Sequence, residues 1–129
     1  MTTHATDVRD AATACLNTAL GANSKFKLRT SGSLGAPGTV VTTHLCNATN
    51  AFGTPSTGTA TANAIASSTG GATVGGVVAT ATFETSADVI KAHFLVAVSG
   101  QEGTMTGGLT VTAGVTVTVG TITYTALPA

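Results

Sequence analysis

From Leu109 onward, apolar residues alternate with threonine almost without a break: L-T-V-T-A-G-V-T-V-T-V-G-T-I-T-Y-T. A period of two marks strands with one buried and one wet face. The parity of the positions says more. Leu109, Val111, Val115, Val117 and Val119 are odd-numbered, whereas Ile122 and Tyr124 are even. A two-residue hairpin loop at Ala113-Gly114 would set Val111 against Thr116 and bring opposite faces together. A three-residue loop over residues 112–114 pairs Val111 with Val115 instead. It places Gly114 in the left-handed position that a type I turn plus bulge requires. The later slip from odd to even predicts a kink or second turn at Gly120.

Upstream, the period changes only once. Val8, Ala11, Ala12, Cys15, Leu16, Ala19 and Leu20 recur at helical spacing, which predicts one amino-terminal helix. Thr6 is the expected N-cap, Asp7 and Asp10 suit the positive end of the helix dipole, and Gly21 suits its end. Lys25–Arg29 reads as a strand with Phe26 and Leu28 on one face and Lys25, Lys27 and Arg29 on the other. A glycine-rich loop with Gly32, Gly35, Pro37 and Gly38 follows, then a strand over residues 40–46. Residues 47–73 carry few large apolar side chains and read as a long loop with one strand near residues 57–65. Strands over residues 77–83 and 89–98 flank a turn at residues 84–88. Further breaks fall at residues 99–103 and at Gly107-Gly108. Short strands with glycine-rich turns predict a mainly β chain, an antiparallel β-sandwich or jelly-roll-like domain. Residues 1–22 form a helix or arm and residues 23–129 a single β-rich domain.

Composition then limits the surface. The chain has 129 residues, 28 of them threonine, and only 8% are charged. Typical soluble domains carry about 25% charged residues. Five basic and five acidic residues cancel, and a small domain without net charge tends to associate. Mean hydropathy is positive, yet the longest greasy stretch, residues 89–98, is interrupted by Lys91 and His93 and is too short to span a bilayer. The amino terminus has no apolar signal-peptide core. Zero net charge argues against nucleic-acid binding through a basic face. Neither a membrane nor a nucleic acid is expected as a partner; self-association into a homo-oligomer is. Cys15 and Cys46 fall in different elements; a disulfide between them has no support from spacing, and buried, reduced thiols are the expectation.

Candidate chemistry is sparse. His44 and Cys46 share a strand face and, with His4 or His93, could ligate a metal. No paired Cys-x-x-Cys or His-x-x-x-His spacing accompanies them, so ordinary structural roles are expected and no cofactor is assigned. Glu84 and Asp88 flank one turn and are the candidate carboxylate pair for glycoside cleavage. Such sites usually carry aromatic platforms, and this chain has no tryptophan and one tyrosine. No G-x-S-x-G or H-E-x-x-H motif is present. Gly70-Gly71 and Gly75-Gly76 lack the phosphate-loop pattern and read as turns. Asn47-Ala48-Thr49 matches a glycosylation sequon without other signs of secretion. Lys25, Lys27 and Arg29 hold three of the five basic residues. They read either as a solvated edge strand guarded against pairing or as a docking patch for an acidic partner surface.

Three segments carry a resemblance: the opening M-T-T-H-A-T-D-V-R-D-A, the block T-A-T-A-N-A-I-A-S-S-T at residues 59–69, and the Thr/Val ending. Together they resemble small proteins encoded by tailed bacteriophages. In those relatives the glycine of the last turn is commonly followed by aspartate; here Val115 follows. The resemblance implies a non-enzymatic virion component that decorates or cements a capsid, located in the virion after assembly in the host cytoplasm. Its partners would be further copies of itself and the major capsid protein or other virion proteins. The alternative is a receptor- or glycan-binding module on a tail or head fibre; a small hydrolase is a third reading.

Overall fold

The computed structural model describes residues 2–68 and 73–127. In chain order, helix α1 (Thr6–Leu20) precedes nine strands among the described residues. They are β1 (Lys25–Arg29), β2 (Val40–Leu45), β3 (Ala60–Thr61), β4 (Gly76–Val77), β5 (Thr80–Glu84), β6 (Ile90–Ala97), β7 (Gly103–Thr104), β8 (Thr110–Val111) and β9 (Thr123–Tyr124). A five-stranded sheet in the order β2-β1-β5-β6-β7 is the frame, and two-stranded ribbons β3-β9 and β4-β8 lie apart from it. Pairing is antiparallel throughout except between β6 and β7. The chain is mainly β with one short helix, as its periodicities predict.

Strand register explains the core. Phe26 stands opposite both His44 and Phe83, and Leu28 opposite Thr42 and Ala81. Phe83 pairs in turn with Ala92, and Ala81 with Phe94. Successive side chains alternate between faces, so one face of the sheet collects Phe26, Leu28, Ala81, Phe83, Ala92 and Phe94. Phe83 lies 5.1 Å from Phe26 and 5.1 Å from Phe52, centroid to centroid, in tilted arrangements. Fully burying one such side chain stabilises by roughly 1.5–3 kcal/mol. Over this face lie Phe52, Ala60, Val111 and the half-buried Val117, Val119, Ile122 and Tyr124. The result is a sandwich of unequal layers: one laddered sheet, and one layer of short ribbons and extended chain.

Several expectations need correction. Ala5, not Thr6, occupies the N-cap, and no side chain caps the helix. The buried helical face is Thr13, Leu16 and Leu20, while Val8, Ala11, Cys15 and Ala19 are exposed. Polar bonds rotate the helix this way. Thr13 Oγ1 donates to Gly58 O at 2.7 Å and accepts from Ala126 N–H at 3.2 Å, and Arg9 donates to Thr57 O at 2.9 Å. The expected strand over residues 77–83 is two strands. Its start pairs with β8 and its end with β1 and β6. The one strand expected near residues 57–65 is present as the short β3, beside isolated bridges Phe52–Ala62 and Ser56–Thr59. The turn before β6 closes as expected, with Asp88 in the left-handed region (φ 64°) and its N–H donating to Thr85 O at 3.0 Å. The Gly70-Gly71 turn lies outside the described residues.

The threonine-valine ending departs most. Its turn is present: Val115 N–H donates to Thr112 O at 3.2 Å, and Gly114 has φ 83°. The hairpin is not, because Val111 pairs with Gly76 rather than Val115. Beyond the turn the chain runs antiparallel to residues 60–68. Val117 O accepts from Ser68 N–H at 2.9 Å, Ile122 O accepts from Ala62 N–H at 2.8 Å, and Ala60 pairs with Tyr124. The parity slip is real. Val117 and Val119 are half-buried, Gly120 and Thr121 exposed, Ile122 and Tyr124 half-buried. No turn is formed at Gly120; the inward phase changes across Gly120-Thr121, so Val117 O and Ile122 O both face the segment over residues 62–68.

Candidate functional site

The basic stripe sits on β1, between β2 and β5, so it is central and not a guarded edge. Its face opposes the aromatic one. Lys27 pairs with Thr43 and Thr82, and Lys25 with Leu45 and Glu84. Lys27 Nζ donates to Glu84 Oε1 at 3.0 Å and to Asp88 Oδ1 at 2.8 Å. Lys25 Nζ reaches the same Asp88 oxygen at 2.8 Å. Arg29 donates to Glu84 Oε2 at 2.8 Å, to Thr82 Oγ1 at 3.2 Å and to Gly38 O at 2.8 Å. Thr82 Oγ1 donates to Glu84 Oε2 at 2.6 Å. Glu84 is wholly covered, and its cover includes the side chains of Lys27 and Arg29. Every guanidinium nitrogen of Arg29 and the ammonium of Lys27 thus has an internal acceptor. The stripe is the positive half of an internal network, with Lys25 its most exposed basic member.

This network fixes the ionisation of its carboxylates. Burial alone would raise the Glu84 pKa; hydrogen bonds from Thr82, Arg29 and Lys27 outweigh it and hold Glu84 below its ordinary value. Hydrogen bonds from Lys25 and Lys27 lower Asp88 to about 2. A general acid for glycoside cleavage needs a raised pKa. Both members of this pair are shifted the other way, and both are bound to one lysine.

His44 and Cys46 are buried on β2 and just beyond it. His44 Nε2 lies 2.9 Å from Thr42 Oγ1, and its Nδ1 2.9 Å from Ala66 O. Both ring nitrogens are thereby occupied, and the imidazole ties β2 to the segment crossing its outer edge. Burial holds the His44 pKa below its ordinary value, against the raising effect of the Ala66 carbonyl. Burial also pushes the Cys46 thiol up, which suppresses the reactive thiolate. Both thiols are free, but Cys15 is exposed, contrary to expectation. Among the described residues, no group of three or more His, Cys, Asp or Glu side chains is placed to hold a metal ion. The Asn47 side chain closes a turn, accepting from Thr49 N–H at 3.0 Å and Asn50 N–H at 3.3 Å. No described helix is long and apolar enough to cross a membrane.

A second candidate region follows the carboxyl-terminal segment. Val117 is tied to Ser68 through its carbonyl and its N–H, the latter donating to Ser68 Oγ at 2.8 Å. Among the described residues, Thr116, Thr118, Val119, Gly120 and Thr121 make no hydrogen bond within the chain. Beside them the protein is open. A cavity of about 290 Å³ lies between the sheet residues Phe26, Leu28, Phe94 and Val96 and the tail residues Val117 and Val119. A shallower one of about 630 Å³ continues past Thr104 and Met105 toward Thr112 and Val115. The residue pattern predicts a strand here; that its edge stays unpaired is visible only after residues 60–68 and 76–77 take the neighbouring positions. With this geometry in view, no protein-family model, no curated protein and no solved structure matches the chain.

Proposed function

We propose that this chain is a non-enzymatic structural subunit of a virion, decorating or cementing a tailed-phage capsid through self-association and shell contacts. One observation carries the assembly part of this reading. A strand-forming, charge-free segment, residues 115–121, stands at the surface with an unsatisfied backbone edge, and such an edge is a template for another chain. Low charge over the whole sequence supports it, since the surface offers threonine methyls and hydroxyls for close packing. The buried ion network supports it indirectly. With Lys27 and Arg29 neutralised inside the fold, few free charges remain to keep copies apart. The resemblance of the amino-terminal, middle and carboxyl-terminal segments to phage proteins supplies the particle.

The decisive experiment is a density map of intact particles, paired with particles stripped of this protein. The expected result is many copies on the shell and a loss of particle stability on stripping. A few copies confined to the tail or a fibre would replace this reading with a receptor- or glycan-binding one. A purified protein that stays monomeric, with stripped particles as robust as intact ones, would remove it.

A further inference from the structure

We infer that residues 115–121 are the strand through which two copies of this chain join, pairing antiparallel with each other across a two-fold axis. This deepens the assembly reading above and rests on it for the presence of a second copy.

In this segment the residue pattern and the hydrogen bonding conflict. V-T-V-T-V at residues 115–119 is among the strongest strand patterns in the chain: β-branched residues throughout, with strict alternation. A strand is completed by a ladder, and this one has a partner on one side only. Val117 directs both its N–H and its C=O to Ser68. In extended chain the neighbouring residues present theirs to the opposite side. Thr116, Thr118 and Gly120 therefore form the free edge, and none has a hydrogen bond within the chain. Each is exposed. The adjoining cavities of about 290 and 630 Å³ leave space beside it.

The identity of the occupant comes from the sequence of the edge itself. Val117-Thr118-Val119, at the centre of that edge, reads the same in both directions. Placed antiparallel to a second copy with Thr118 on the axis, Thr118 faces Thr118, Thr116 faces Gly120 and Val117 faces Val119. All the residues of the free edge then meet one another, with Val117 and Val119 on one face and Thr116 and Thr118 on the other. A two-fold interface demands this self-complementarity. No like charges are opposed, because the segment carries none. Gly120 suits the pairing, since an added Cβ would meet nothing within 4 Å and the backbones approach freely.

Thr118→Pro tests the inference on the whole 129-residue chain. Proline removes one N–H from the edge, and that N–H has no acceptor within the chain. By size-exclusion chromatography with light scattering, wild-type protein is expected to be dimeric or a multiple of dimers. The variant should dissociate at a concentration higher by about tenfold or more, with an unchanged melting transition of the monomer. A wild-type protein that is monomeric at every concentration overturns the inference. So does a variant that assembles as wild type does; shell binding by either protein would then leave the assembly reading standing. Should the variant fold poorly, hydrogen exchange on wild type decides. The Thr116, Thr118 and Gly120 amides should exchange about tenfold more slowly on association. Rapid exchange in the associated state refutes the strand pairing.

Discussion

The sheet and the tail are built from the same alternation of apolar and polar residues, yet they reach opposite ends. In β1, β2, β5 and β6 each strand finds neighbours, and register brings Phe26, Phe83 and Phe94 together on one face and Lys27, Arg29 and Glu84 on the other. In residues 115–121 an equally regular pattern finds Ser68 on one side and solvent on the other. The difference lies in the partner and not in the strand. A strand inside a sheet makes its polar face safe by pairing charges within the fold. A strand at a boundary keeps that face neutral, with threonine, and leaves it available.

The sharpest way to break this contrast is in the aromatic face. Phe83→Ala should destabilise by about 3–5 kcal/mol, because Phe83 is 2% exposed and touches three other aromatic rings. Chemical denaturation of the isolated chain reads this, and a loss near 1 kcal/mol would mean that the two layers are loosely packed. Next comes the polar face of the same sheet. Glu84→Gln leaves Lys27 without one acceptor and Arg29 without its carboxylate, and about 2–3 kcal/mol should be lost. Lys27→Met with Glu84→Gln should recover part of that loss, since an uncompensated charge is the larger penalty.

In the tail the expected effects are smaller. Gly114→Ala should cost about 1 kcal/mol, because Gly114 holds φ 83° and an L-residue there is strained. An added Cβ there meets nothing within 4 Å, so a loss of several kcal/mol would show that the turn organises more than itself. The mildest perturbation is acid. His44 has its folded pKa below 6.5, so the unfolded chain binds the proton more readily. The stability it contributes is present above pH 6.5 and lost as pH falls through the folded pKa. Glu84 and Asp88 are also depressed and act lower, from 4.5 downward and from 3.8 toward about 2. A denaturation series should therefore lose stability in two stages on acidification, and His44→Gln should remove only the first. A first stage that survives this substitution would point to another titrating group.

Much of this was legible in the sequence because it is local. The helix, the facing of β1, the turn before β6 and the glycine turn at Gly114 each follow from spacing or from one residue's backbone preference. The parity slip at Gly120 follows from residue positions alone. The meaning of Lys25, Lys27 and Arg29 could not. Whether three cations on one face meet water, a partner or a buried Glu84 depends on which strand lies next to β1, and β5 is more than fifty residues away in the chain. The helix orientation failed for a related reason: Thr13 is drawn inward by Gly58 and Ala126, a pull that apolar periodicity does not register.

Alone, the sequence determined the local conformations and the two faces of each strand, because both depend on steric preferences and on a period of two. It also determined that the surface would be nearly free of charge. Only the tertiary structure decided which faces are covered and which edges are paired, because hydrogen bonding between strands is a competition among distant segments. Val111 went to Gly76 and Val117 to Ser68. Those choices left over the edge formed by Thr116, Thr118 and Gly120, whose backbone groups have no partner within the chain.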